Sequence, residues 1–239
     1  MKIGPQLVAI LRLKGERAMP HRQAAAQTIH VMTVSRPGLA QKEIYRHMLQ
    51  PLMEMEAYEA GTTPLPEGES EQDPELRSVV SEEDLSTMVD DVYTLLNHDT
   101  PSEHVLAALT PVLPHLFRLF CAATMGKANI RQAARLIVQT YFRLAPTAAA
   151  DLTSLIIPPG HLQRITAVPL IFAPGSSGGL QVRRVQAEGE GWRDFEQEAE
   201  CAVELLEGLQ KDDLSGDVFI CLLDEVNTSP PPHWRDLVS

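Results

Sequence analysis

The sequence predicts a mainly α-helical fold, helical pairs stacked as a solenoid, with one small β-hairpin near residues 167–186. Apolar residues recur at three- and four-residue spacing through most of the chain, the period of a helix buried along one side. Aromatics are only 5% of the 239 residues while Leu and Ala are plentiful, a core composition that suits packed helices better than a β-sandwich. Helical hairpins joined by short turns recur in units of about 40 residues, the rhythm of stacked repeats.

The elements follow in order. Ile3, Leu7, Val8, Ile10 and Leu11 form the first stripe, and Gly15 is expected to end that helix. Pro20 suits a first helical turn, and Ala25, Ile29 and Met32 line the helix that follows until Pro37 stops it. A third helix is expected after Gly38, with Leu39, Ile44, Met48, Leu49 and Leu52 inward. Ser81 can cap the next helix, with Glu82, Glu83 and Asp84 favourable beside its positive end, and Leu85, Met88, Val89, Val92, Leu95 and Leu96 as its stripe. Thr100, Pro101 and Glu103 read as cap, first helical residue and capping box. The helix from Val105 is apolar nearly all round, which requires neighbours on two or more sides, and Pro111 and Pro114 should kink it. Gly126 closes it, and Ile130, Ala133, Ala134, Ile137, Val138 and Tyr141 line a partner. Val168–Phe172 and Leu180–Val185, across the bend Gly175–Gly179, read as two strands. Trp192–Gln210 reads as an acidic amphipathic helix with Phe195, Ala199, Ala202, Val203, Leu206 and Leu209 inward. Gly216 precedes a last apolar helix, Val218–Val226.

This divides the chain into a helical segment (1–60), an acidic flexible loop (61–79) and helical pairs (80–160). A hairpin with linker (161–190), a C-terminal helical pair (191–227) and a disordered tail (228–239) complete it.

A net charge of −12 repels phosphate backbones and argues against a nucleic-acid ligand. Ten acidic residues and one basic residue, Arg77, lie between Glu67 and Asp91, and a second acidic stretch runs from Glu188 to Asp213. The strip Glu67, Glu69, Glu71, Asp73 and Glu75 reads either as a solvated loop or as a docking site for a basic partner. Cys121, Cys201 and Cys221 are odd in number, far apart and set among apolar residues, which predicts buried thiols in a reducing compartment. Neither they nor the eight His residues show zinc spacing, so no metal or other cofactor is expected. The N-terminus is too charged for a secretory signal. Val105–Ala123 is apolar enough to raise a membrane span, but Arg118 near its centre predicts a buried solenoid helix.

No residue set points to catalysis. Gly175–Gly179 lacks the Gly-Lys-Ser/Thr ending of a phosphate loop, and a strand follows it. Asp90 and Asp91 are adjacent on a helix and point apart, and Asp212 and Asp213 cap or precede the last helix. Ser176 and Ser177 lack a nucleophile elbow. Cys121 and His115 are six residues apart on one helix and share no face.

The order of segments resembles the transport and Golgi organization protein 6 family of HEAT- and armadillo-type helical proteins. Val80–Ser86, Val89–Tyr93, Leu109–Leu113, Leu116-Phe117, Leu119–Cys121 and Asn129–Arg131 carry the resemblance, with Pro5–Leu7, Gly178–Leu180 and Gly216–Ile220. It implies a large adaptor without enzyme activity or cofactor. Animal members are linked to protein secretion and Golgi organization, and fungal relatives to assembly and nuclear import of RNA polymerase II. The implied partners are proteins of the secretory machinery or polymerase subunits. The implied location is cytoplasmic, with Golgi association or nuclear shuttling. Family members are longer, so the chain resembles an internal piece whose ends should expose apolar helix faces. A fragment of an enzyme and a membrane-associated protein are the competing expectations.

Overall fold

The structure, a computed structural model, describes residues 3–62, 78–98, 100–156, 170–184 and 195–228. The acidic strip Glu67–Glu75 and the expected tail from residue 229 lie outside the described residues.

Helices α1 (Ile3–Leu11), α2 (Met19–Ser35), α3 (Pro37–Ala40), α4 (Arg46–Met48) and α5 (Gln50–Glu59) build the first part. A π-helical turn, Gln41–Tyr45, joins α3 to α4 and shifts the helical phase. Ala40 is buried beside Ile44, Tyr45, Met48 and Leu49 because it lies one helical turn before Ile44, while Leu39, expected inside, lies five residues before Ile44, off that face, and is exposed to solvent. Gly4 lets α1 lie directly on this turn, because a Cβ there would sit 1.9 Å from the Glu43 carbonyl oxygen. Gly15, at φ +101°, turns the chain after α1, which already ends at Leu11.

Helices α6 (Glu82–His98), α7 (Glu103–Leu109), α8 (Leu113–Met125), α9 (Arg131–Leu144) and α10 (Ala148–Ile156) form the middle. Ser81 caps α6 as its sequence predicts: the Asp84 amide donates to Ser81 Oγ at 3.1 Å. The predicted cap at Thr100 does not form. Pro101 and Ser102 precede the helix, Ser102 is extended at the cap position, and α7 starts at Glu103. Pro111 and Pro114 break the long apolar run as expected, and Thr110–Val112 become a 3-10 turn between α7 and α8.

Three antiparallel strands, β1 (Ser78–Val80), β2 (Leu170–Pro174) and β3 (Leu180–Arg184), pair in the order β1-β3-β2. The predicted hairpin is β2–β3. Strand β1 falls where the sequence predicts the end of the acidic loop, at 78–79, and the start of the next helical segment, at 80. Val80 pairs with Val182, and its β-branched side chain enters the core. Helices α11 (Phe195–Leu209) and α12 (Asp212–Thr228) follow. Gly216 lies inside α12 rather than before it, because Asp212 and Asp213 start the helix one turn earlier. Val203 faces solvent, against expectation, since the inward ridge of α11 is Glu198, Cys201, Ala202, Leu205 and Leu209.

One apolar cluster runs through these layers from Val8 to Val218. Its centre is α8, where Leu113, Leu116, Phe117, Leu119, Phe120 and Ala123 are all buried, each large side chain contributing about 1.5–3 kcal/mol on leaving water. The stretch Glu103–Met125 is long and apolar enough to cross a membrane, and 67% of its most apolar window is buried against the rest of the fold. Two polar residues on α8 are answered inside the fold. Arg118 donates to Glu59 Oε1 at 2.8 Å and to the Leu170 carbonyl at 2.6 Å. His115 Nε2 lies 3.2 Å from Glu59 Oε2. This node joins α5, α8 and β2. Burial raises the Glu59 pKa, but the contacts with His115 and Arg118 outweigh it and hold the carboxyl below its usual range.

Replacing Arg118 with alanine leaves Glu59 half-answered in a dry site and the Leu170 carbonyl without this donor. The expected loss is about 3 kcal/mol of unfolding free energy, read by urea denaturation. A loss below about 1 kcal/mol would show that the node is dispensable.

Candidate functional site

A polar cleft of about 950 Å³ opens between α1, α2, α6 and the sheet. Arg12 and Lys14 at the end of α1 form one side with Arg22 of α2, and the N-terminal half of α6 supplies Ser81–Asp84, Ser86, Thr87, Asp90 and Asp91. The β2–β3 turn closes it with Ser176 and Ser177.

Arg12, Arg22, Glu82 and Asp91 of this cleft serve the fold. Arg12 Nε donates to Asp91 Oδ2 at 2.8 Å, tying α1 to α6. Asp91 is buried while neighbouring Asp90 is exposed, so the adjacent pair points apart as the helical geometry predicts. Burial raises the Asp91 carboxyl to about 6, outweighing its hydrogen bond to Arg12. Arg22 donates to Thr94 Oγ1 at 2.8 Å.

The Gly-rich turn does bind an anion, but one belonging to the protein. Glu82 places its carboxylate inside the turn, where the Ser177 amide donates at 2.9 Å and the Gly179 amide at 2.5 Å. A Cβ on Gly175 or Gly179 would strike this carboxylate, at 2.1 and 2.6 Å respectively. The absence of a Cβ at both positions leaves room for this carboxylate, and the turn docks the sheet onto the start of α6. Among the described residues no His lines the cleft beside its serine and threonine hydroxyls.

The remaining candidates resolve similarly. Among the described residues, no group of three or more His, Cys, Asp or Glu side chains could hold a metal ion. His115 turns to Glu59, away from Cys121. Cys121 instead meets Cys201 from α11, far apart in sequence and both buried as free thiols. The hydrogen bond to Cys201, and then burial, push the Cys121 thiol well above its usual range, where it is protonated and unreactive. Asp212 and Asp213 lie in the first turn of α12. The sequence offers no local signal for the Arg12–Asp91 pair, the Glu82 cradle or the thiol pair, since each joins distant segments.

The family model for the transport and Golgi organization protein 6 homolog, ARM-like repeat, matches residues 1–229. No curated protein and no solved structure matches the chain.

Asp91 and Glu82 give two tests. With its folded pKa above the ordinary 3.8, Asp91 binds its proton more tightly in the folded chain. Its contribution is therefore present at low pH and lost as pH rises through about 6. Asp91→Asn removes this titration, so from about pH 4 to about pH 7 the variant should gain about 2–3 kcal/mol relative to the unsubstituted chain. Urea titrations at the two pH values check this, and a constant offset contradicts it. Glu82→Gln puts an amide donor against the turn amides, with an expected cost of about 1–2 kcal/mol. Faster hydrogen exchange at Ser177 and Gly179 would report the loosened turn, and unchanged exchange would refute the cradle.

Proposed function

Because the chain belongs to the transport and Golgi organization protein 6 homolog family through its ARM-like repeat, we propose that it is a non-enzymatic scaffold that holds other proteins during secretion and Golgi organization. The family match over residues 1–229 carries this reading. The form of the fold supports it: stacked helices offer broad outer faces, and such repeats bind along extended surfaces. The cleft supports it too, because Arg12, Asp91 and Glu82 are engaged in joining the end of α1, α6 and the sheet. The partners are proteins, and the place of action is the cytoplasmic side of the Golgi.

Depleting the protein from cells is expected to slow export of a secretory cargo, measured by its release into the medium. Proximity labelling from the full-length protein is expected to enrich Golgi and secretory proteins. Normal cargo export, with labelling of RNA polymerase II subunits instead, would overturn the secretory assignment in favour of polymerase assembly and import.

A further inference from the structure

Helix α12 is amphipathic in an unusual sense. Leu214 and Val218 face the core, yet Phe219 is 61% exposed, Ile220 57% and Leu223 47%. At about 100° per residue these three share one arc of the helix. Gly216 falls within the same arc, and a Cβ there would meet nothing within 4 Å, so the backbone is open to close approach. Asp213, Asp217 and Asp224 fall on the adjoining ridge. Asp213 and Asp217 also line a groove of about 490 Å³ between α12 and the α9–α10 corner, walled by Ala145, Pro146 and Ala149.

Among the described residues no cation pairs with these carboxylates, although Lys211 lines the same groove. Residues 195–228 contain ten acidic residues and one basic residue, Lys211. Lys211 Nζ donates to the Arg143 carbonyl. Among the described residues, Asp213, Asp217 and Asp224 make no ion pair.

We propose that the α12 face docks a basic amphipathic helix of a partner protein, its apolar side chains on Phe219, Ile220 and Leu223 and its Lys or Arg side chains along the Asp213–Asp217–Asp224 ridge. This rests on the scaffold reading and names the chemistry of a partner. A helix fits because ridges of side chains at three- and four-residue spacing pack into the grooves of another helix. Charge selects a basic occupant over a second copy: each chain carries −12, so two copies repel while a basic helix is steered in. The same ridge disfavours an anionic lipid surface.

The test is a titration of the full chain with a synthetic amphipathic helix bearing a leucine face and lysine flanks, against the same peptide with glutamate flanks. Saturable binding of the lysine peptide alone is expected. Phe219→Ser with Leu223→Ser should weaken it more than about tenfold. Asp213→Asn with Asp217→Asn and Asp224→Asn should weaken it about three- to tenfold at low salt and flatten its salt dependence. Val34→Ser, at an exposed apolar site on α2, should leave it unchanged, and thermal melts establish that each variant folds. Equal binding of both peptides, or binding indifferent to both α12 variants, overturns the proposal. So does concentration-dependent dimerisation abolished by Phe219→Ser, which would give the face to a second copy. Peptide binding at α12 in a protein that co-purifies with no other protein would defeat the scaffold reading while leaving the α12 face intact.

Discussion

A cation lies in the middle of α8, a helix buried in the apolar core, and the surrounding fold is arranged to answer it. Arg118 of α8 reaches the Glu59 carboxylate and the Leu170 carbonyl, and His115 meets the other Glu59 oxygen. Removing such a cation from water costs several kcal/mol unless its hydrogen bonds are made in good geometry. The end of α5 and the start of β2 must therefore sit where they do. Once they are fixed, β2 brings β3, and β3 brings β1 and the turn that grips Glu82 at the start of α6. The polar node thus sets relative positions that non-directional apolar packing alone leaves open.

That economy of charge separates the interior from the surface. Inside, Glu59 holds α8, Asp91 holds α1, and Glu82 holds the sheet turn. Asp91 and Glu82 belong to the polar lining of the cleft and at the same time join its walls. On α12 the arrangement is reversed. Carboxylates stand beside exposed Phe219, Ile220 and Leu223, an unbalanced surface that gains by being covered.

Much of the helical layout is legible because a buried stripe leaves a period that one sequence can show. The stripes of α6, α8 and α9 lie where spacing puts them, and Ser81 caps α6. The failures have local causes. Leu39 is expected inside for its apolarity, but it lies five residues before Ile44 and so falls off the face that Ala40, Ile44 and Met48 share at four-residue spacing. Spacing puts Val203 inside because a helix bearing apolar residues on two sides does not reveal which side its neighbours occupy. Strand β1 is three residues long and shows no alternation to count. At the cleft, absence of a phosphate-loop ending correctly argues for a turn. The anion within that turn cannot be read, since Glu82 lies 97 residues before Gly179. Arg12 and Asp91 are similarly 79 residues apart.

If the protein acts through the outer faces of its helices, hydrogen exchange of the full-length protein, alone and with its co-purified partners, slows on exposed helical faces, α12 among them, and is unchanged at the β2–β3 turn and the α6 start. Protection concentrated around the cleft at Ser81–Asp91 and Ser176–Ser177, with the helical faces unaffected, would contradict that mode of action.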